Sequence, residues 1–369
     1  MNSGKPIPRT KVEIHEDAKK KLLEVIESGQ FIKGPQSKHL GEEFANFCGA
    51  KHGIPASSGS TALFSALKVA GIIPGDEVIS VPNTFIATIN AVILAGGRPV
   101  FADIDSNTFN MSIESLKKVI TAKTKAIVPV HLYGLMAPMP EIMEIAEEKN
   151  LIVIEDACQA HGADINGKRA GSFGDLSAFS FYPTKLLNTV GDGGIITTNN
   201  EELSVKLNRF INHGRKSQYE YAEFGFNFRL SELQATVARV HLSHLEEEIS
   251  ARRRIAATYT DELRKIDGIE PPVVPDGHSH VYYLYTTKAK KRDALIKYLK
   301  ETNIEASVEY PVVLHQLDYV KTLNPIYPQD GLGVSEKCLE EICALPIFSG
   351  LENEEIRFVT ESIAEFYEK

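Results

Sequence analysis

An α/β fold built on a mostly parallel sheet, followed by a smaller α+β C-terminal domain, is predicted by three features of this sequence. Apolar runs of four or five residues recur between amphipathic segments, as strands buried on both faces require. Strand and helix signals alternate, which implies right-handed crossovers between parallel strands. The chain has 369 residues, more than the ~250–300 that a single core usually serves, so a second domain is expected.

The elements follow in order. Residues 1–15 read as extended, because Pro6 and Pro8 oppose helix. Glu16 to Ser28 carries an apolar stripe of Ala18, Leu22, Leu23, Val25 and Ile26, and Gly29 ends it. A second helix is expected from Ser37 to Cys48. Ser57-Ser58-Gly59-Ser60-Thr61 precedes a helix predicted over Ala62–Ala70. This stretch suits either an ordinary hydroxyl cap or an anion site at a helix N-terminus. Strands are expected at Val78–Val81, Val100–Ile104, Ala126–Val130, Leu151–Ile154 and Ile195–Thr198. Helices are expected at Ile86–Ala95, Met111–Thr121 with Ser112 as cap, Met139–Lys149 and Glu201–Ile211.

A long helical run is predicted to start within Gly225–Ala235 and to continue to Ile255. The rest reads as a strand at Val281–Thr287, a helix from Asp293 to Thr302 and a closing helix Glu354–Tyr367 with Asn353 as cap. The chain then divides into an N-terminal segment 1–30 packing with the small domain, a large domain 31–245 and a small domain 246–369.

Ligands of such sheets bind beyond the carboxyl ends of the strands. Two strand ends carry reactive groups. Leu151–Ile154 leads into Glu155-Asp156-Ala157-Cys158-Gln159. A second apolar strand leads through Ser180 to Lys185, with Gly191-Asp192-Gly193-Gly194 just beyond. An amine and a carboxylate on neighbouring strand ends suit pyridoxal 5'-phosphate, which needs an amine for its carbonyl and an acid for its ring nitrogen. Its phosphate needs hydroxyls and backbone N–H groups. Phe85, at a strand-to-helix junction, either covers a cofactor ring or packs in the core.

Other chemistries lack their signatures. Gly162 to Lys168 fits GxxxxGK, but Arg169 stands where a P-loop needs Ser or Thr, and Asn166-Gly167 reads better as a hairpin turn. No GxGxxG, HExxH or GxSxG occurs. Net charge is -9 with no basic run, so no nucleic-acid partner is expected. No apolar run reaches the ~20 residues of a membrane span, and the N-terminal residues lack a signal-peptide core. Cys48, Cys158, Cys338 and Cys343 form no CxxC or zinc spacing, and read as reduced thiols of a cytoplasmic protein.

The stretches SSGSTAL, GDEVISVPNTFIAT, HLYG, EDACQAHGA, GSFGDLSAFSFYPTK, GDGG, NHG and FNFRLSELQA lie in order between about residue 30 and 245. Together they resemble the DegT/StrS family of pyridoxal-phosphate-dependent sugar aminotransferases. The resemblance implies the type I aminotransferase fold, with a seven-stranded sheet, and a homodimer with shared active sites. Lys185 then matches the lysine that holds the cofactor covalently, and Asp156 the carboxylate at its ring nitrogen. Gln159 matches a residue near the phenolic oxygen, and Phe85 the ring-stacking aromatic. Gly59, Ser60 and Ser180 match phosphate contacts, and Asn227 a phosphate contact from the other subunit. His213, Tyr310 and His315 lie in stretches that line the sugar site of relatives.

Two positions bear on the reaction. Ser60 stands where many relatives have Thr, which keeps a hydroxyl. Lys185 stands where sugar dehydratases of the family have His, which favours transamination. The implied reaction moves an amino group from L-glutamate to a keto sugar, most simply a nucleotide-linked 3-keto or 4-keto hexose. A keto-cyclitol or a keto sugar without a nucleotide is the alternative substrate. A non-catalytic regulator on the same fold is the alternative of another class.

Overall fold

The computed structural model of this protein describes residues 5–369, so the extended run expected at 1–15 falls outside it for residues 1–4. Seven strands form the main sheet. In spatial order they are His52–Ala56, Gly194–Thr198, Leu176–Ser180, Ile152–Asp156, Thr124–Ile127, Glu77–Ser80 and Arg98–Phe101. The last five run parallel, while Gly194–Thr198 is antiparallel to both neighbours. Period-two alternation sorts the strand side chains onto two cores. Ile79, Ile127, Val153 and Phe179 face one, and Val78, Ala126, Ile154 and Ala178 the other. Helices Pro35–Cys48 and Met139–Lys149 pack on the first core, and helices Gly59–Val69 and Glu201–Phe210 on the second.

Local signals explain most element ends. Helix Glu16–Ser28 ends at Gly29, whose φ of 68° is left-handed and costs glycine little. Ser112 accepts the Ser115 N–H as cap of Ile113–Val119. Asn166 and Gly167, at φ 50° and 80°, close the hairpin between Asp164–Ile165 and Lys168–Arg169.

Four expectations need correction. The helix expected at Ala62 begins at Gly59, because Ser58 and Thr61 form a reciprocal capping box three residues earlier. The long helix begins at Glu232, not near Gly225, because Ser231 caps it together with Gln234. Residues 225–230 instead run extended, with Ala56 bridged to Arg229 and Asn212 to Asn227. The closing helix, Asn353–Glu368, is capped by Glu352 rather than Asn353. Lys185 does not end a strand: the strand stops at Ser180, and Lys185 lies in the irregular turn beyond it.

A three-stranded antiparallel sheet of Ile269–Glu270, Tyr285–Ala289 and Ile342–Leu345 centres a second core. Tyr259, Leu263, Tyr285, Leu295, Leu345 and Val359 fill it, and Ile7 joins them. Helix Glu232–Leu263 runs unbroken from the first core into this one. Ala18 of the first helix packs instead on Val237 and Val240 of that long helix. Residues between 314 and 332 return to the main sheet, where Leu314, Val320 and Leu332 cover Ile89 and Phe101. The Leu314 N–H donates to the Pro82 carbonyl at 2.8 Å.

Glu155 fixes the end of the central strand. It is fully buried and accepts five hydrogen bonds at 2.8–3.0 Å, from His131 Nε2, the N–H groups of Gly171, Phe173 and Gly174, and the Ser177 hydroxyl. His131 Nδ1 accepts the Ala137 N–H, so Nε2 carries the proton that Glu155 receives. Burial pushes the Glu155 carboxyl up, but His131 and the backbone donors outweigh it and hold it below the usual range. A carboxyl depressed in the folded state stabilises above its unfolded pKa of about 4.3 and loses that contribution as pH falls through the folded value. Glu155→Gln should therefore cost about 3 kcal/mol at neutral pH, because an amide sets N–H against donors. Thermal melting should show a wide gap between the two proteins at pH 7 that narrows below about pH 4. A gap independent of pH would show that the charge of Glu155 contributes nothing.

Candidate active site

Asp156 follows Glu155 on the same strand, so its side chain projects to the opposite face. Its Oδ2 accepts the Thr88 hydroxyl at 2.7 Å, and its Oδ1 the Cys158 N–H at 3.3 Å. Thr84 lies 3.2 Å behind Thr88, one turn back at the start of helix Ala87–Ala95. Since Thr88 gives its proton to Asp156, Thr84 donates to Thr88. Asp156 is 5% exposed, and among the described residues no cation pairs with it. A buried carboxylate with open capacity for a positive donor is the result.

Ser180 ends the neighbouring strand, two residues beyond the Asp156–Ala178 pair. Helix Gly59–Val69 meets this strand end head-on. A Cβ at Gly59 would come within 2.7 Å of Ser180 Cβ and 3.1 Å of Cys158 Sγ, so only glycine lets the helix come this close. Thr61 caps through Ser58, while the N–H groups of Gly59 and Ser60 have no acceptor within the helix. Two free N–H groups, the positive helix end and the Ser180 hydroxyl thus form an anion cradle.

Lys185 is half-buried, with its Nζ 4.2 Å from the centre of the Tyr283 ring. The Tyr283 hydroxyl lies 3.5 Å from Thr184 Oγ1. Tyr283 enters from the C-terminal half and is held there by Leu284, whose N–H donates to the Tyr133 carbonyl. Gln159 is buried and bridges the same two parts. Its Oε1 accepts the Tyr133 N–H at 2.7 Å, and its Nε2 donates to the Tyr310 hydroxyl at 2.7 Å. Burial, reinforced by Tyr283 and Glu309, pushes the Tyr310 phenol well up, so it stays protonated. Phe85 is 53% exposed, with its ring 5.9 Å from that of Tyr310. His161, below the site among Phe44, Phe179 and Phe181, is held neutral by burial and by Lys185, its pKa lowered to about 3.

The structure therefore brings Asp156, Ser180, Gly59, Ser60, Lys185, Gln159, Phe85 and Tyr310 into one neighbourhood at and just beyond the strand ends, linked by their pairwise contacts. It does not gather the other three. Asn227 and His213 lie on the extended ribbon beside the edge strand His52–Ala56, where the His213 N–H donates to the Phe226 carbonyl. His315 turns to Glu336, 2.9 Å from its Nε2, and packs near Phe101. Sequence reasoning missed Thr84, Thr88, Tyr133, Tyr283 and the role of Glu155. The Thr84–Thr88 spacing of four, at a helix start, was the one legible signal among these.

The set suits pyridoxal phosphate on its own chemistry. Asp156 offers an anion to a ring nitrogen, Lys185 an amine to a carbonyl, and the Gly59–Ser60–Ser180 cradle takes a phosphate. Among the described residues no helix is long and apolar enough to cross a membrane, and no cluster of His, Cys, Asp and Glu could hold a metal.

The chain is similar to several known proteins. UDP-N-acetyl-3-dehydro-alpha-D-glucosamine 3-aminotransferase of Acidithiobacillus ferrooxidans is 41% identical over 332 residues, spanning 90% of this chain and 89% of that one. A pleiotropic regulatory protein of Geobacillus stearothermophilus is 44% identical over 348 residues, spanning 94% and 93%. The crystal structure of DesV from S. venezuelae, in complex with a ketimine intermediate, superposes with a TM-score of 0.95 at 34% identity over 99% of both chains. The profile of the DegT/DnrJ/EryC1/StrS aminotransferase family matches residues 12–364, and the chain belongs to that family.

Proposed function

We propose that this protein is a pyridoxal-phosphate-dependent aminotransferase that moves an amino group from L-glutamate to a nucleotide-linked keto sugar, with a 3-keto hexose favoured. The observation that carries the reading is the placing of Lys185, an uncompensated Asp156 and the Gly59–Ser180 cradle at and just beyond two paired strand ends. The 3-keto preference is supported by the 3-aminotransferase relative.

Bound pyridoxal phosphate supplies a carbonyl that condenses with amines and a ring that takes up the electron pair left when an α-proton departs. Asp156, oriented by the Thr88 hydroxyl, would keep a proton on the ring nitrogen. Lys185 would supply the amine that holds the carbonyl, and the same amine would carry the α-proton, with the Tyr283 ring 4.2 Å from its Nζ. Gln159, fixed by Tyr133 and Tyr310, would donate toward the phenolic oxygen, and Phe85, whose ring lies 5.9 Å from that of Tyr310, would cover the ring.

We also read the protein as a homodimer. Asn227 is the phosphate ligand that one subunit lends the other, and His213 shares its ribbon. Support comes from the exposed Tyr221 and Phe224 on the same ribbon, and from Phe31 and Ile32 beside it. Tyr310 and His315 remain assigned to the sugar side. The large domain is 31–245 and the small domain 246–369, with 1–30 as an N-terminal segment expected to pack with the small domain; Ile7 joins that core, while Ala18 packs on Val237 and Val240 of the long helix. Four free cysteines fit a cytoplasmic protein. The regulator reading draws on the name of the Geobacillus relative, but a protein without turnover has no chemical need for Lys185, Asp156 and the cradle together.

Absorbance tests the reading. The purified protein with pyridoxal phosphate should show a visible band that bleaches with L-glutamate, and Lys185→Ala should lack that band. A band that glutamate leaves unchanged overturns the donor, and no cofactor binding overturns the function. Asp156→Asn keeps the shape and removes the charge, so turnover should fall by about a hundredfold or more while the fold is retained. Gly59→Ala should weaken pyridoxal phosphate by about tenfold, since the displaced first turn loses a charge-assisted hydrogen bond. Fluorescence titration reads that loss, and equal affinity would remove the cradle from the phosphate site.

A further inference from the structure

The N-terminal segment sends one charged side chain toward the active site. Ile7 is bridged in parallel to Ile304: its N–H donates to the Asn303 carbonyl at 2.8 Å, and its carbonyl accepts the Glu305 N–H at 3.0 Å. Two residues on, the Arg9 N–H donates to the Glu305 carboxylate at 3.1 Å, and the Arg9 carbonyl accepts the Ile347 N–H at 3.0 Å. The backbone of Arg9 is thus held on two sides. Its guanidinium Nη1 donates to Glu309 Oε2 at 2.7 Å. The pair is partly buried, with side chains 22% and 19% exposed, so salt and water screen it only in part.

Glu309 stands where the chain needs holding. The next residue, Tyr310, is left-handed at φ 58°, a conformation that residues with a Cβ rarely adopt, and Pro311 restricts it further. Such a backbone persists only where its surroundings fix it. Regular structure does not supply the fixing, because residues 308–313 lie in neither helix nor strand. Glu309 also lies near both tyrosines that hold Gln159. Burial and then Glu309 push the Tyr133 phenol up, and burial, Tyr283 and Glu309 do the same to Tyr310. The backbone bonds of Ile7 and Arg9 suffice to staple the segment to the small domain. The guanidinium is the part that goes to Glu309.

We propose that Arg9 is a positioning residue of the active site: through Glu309 it holds Tyr310 against Gln159, and so aims the amide that faces the cofactor's phenolic oxygen. The proposal rests on the reading of the protein as pyridoxal-phosphate-dependent. The path runs from Arg9 Nη1 to Glu309, along one peptide to Tyr310, and from the Tyr310 hydroxyl to Gln159 Nε2 at 2.7 Å. Gln159 Oε1 is anchored on the Tyr133 N–H, so Nε2 has one proton on Tyr310 and a second to give. The Tyr310 hydroxyl therefore sets the direction of that second proton. A shift of Glu309 moves the Tyr310 backbone and loosens the amide at both ends.

Two readouts test this. Hydrogen exchange of the full-length protein as purified reads the Tyr133 amide, whose acceptor is Gln159 Oε1. Arg9→Ala should speed its exchange by about fivefold, Tyr310→Phe by at least as much, and Arg9→Lys should restore it. In the loaded protein, a donor to the phenolic oxygen draws off negative charge that would otherwise hold a proton on the Lys185 nitrogen. Loosening Gln159 should therefore raise the pH midpoint of the visible band, by about half a pH unit in Arg9→Ala, with return in Arg9→Lys. If Arg9→Ala melts early, Glu309→Gln, which leaves the N-terminal segment intact, should give both changes. Faster exchange confined to residues 5–16 and 303–312, with Tyr133 unmoved, shows a staple only and overturns the proposal. A midpoint that stays in place in Arg9→Ala and Tyr310→Phe overturns it too. The exchange experiment needs no cofactor, and absence of the visible band in the unmutated protein overturns the function alone, so the two readings fail separately.

Discussion

Glu155 lies out of reach of water, and it keeps its charge because five donors converge on it. Four of them come from residues 171–177, the loop that feeds the neighbouring strand, and the fifth from His131 at the end of another. One carboxylate thus ties three adjacent strand ends together. Asp156, the next residue, inherits that rigidity on the opposite face. Its freedom to meet a positive donor depends on being held by Thr88 and the Cys158 N–H rather than by a cation. An arginine in place of Thr88 would satisfy the charge and abolish the function proposed for it.

The cleft is built from two kinds of support. Asp156, Ser180 and the first turn at Gly59 sit on strands and a helix packed to the core, and they define fixed positions. Tyr283 and Tyr310 arrive from the C-terminal part of the chain, in stretches that are neither helix nor strand. Both have left-handed or closely clamped surroundings: Tyr310 has φ 58°, and a Cβ at Gly134 would come within 2.9 Å of the Tyr283 N–H. Gln159 spans the two kinds, with one end on Tyr133 and the other on Tyr310. Moving the C-terminal part would break that span, so the amide couples the cleft's shape to the packing of the two cores.

Much of this was legible in the residues. Buried runs such as Val78–Val81 and Leu151–Ile154 have no other use than a two-sided sheet, and ligand groups had to collect at their ends. Glycine and serine set the helix ends where those residues terminate or cap. Failures came where two signals overlapped. Ser57 to Thr61 reads as loop because it is small and polar, yet that composition is also what the tight first turn against Ser180 demands. Phe226 and Phe228 stand two apart, the period of a strand and not of a helix, and the segment that holds them runs extended. Glu155 was hidden by its neighbour, since adjacent residues on a strand serve different faces. Tyr283 had no local signal at all, because its partner Lys185 is ninety-eight positions away.

What remains open on a single chain is also ordered. The ribbon from Asn212 to Arg229 carries exposed aromatics, an exposed Asn227 and unpaired guanidinium atoms within a few residues of one another. Each is costly alone: apolar rings in water, a loose amide and repelling cations. A surface of that kind persists only if something covers it. In the proposed homodimer a second subunit would cover the rings and the amide, while the cations call for an anion. Both demands fall on one ribbon because it lies along the antiparallel edge of the sheet, where the Ala56 bridge pins it beside Ser57 and the cradle. The edge strand therefore carries the same constraint as Asp156, in a different place: it brings charge to a fixed point and leaves the counter-charge to a partner or a ligand.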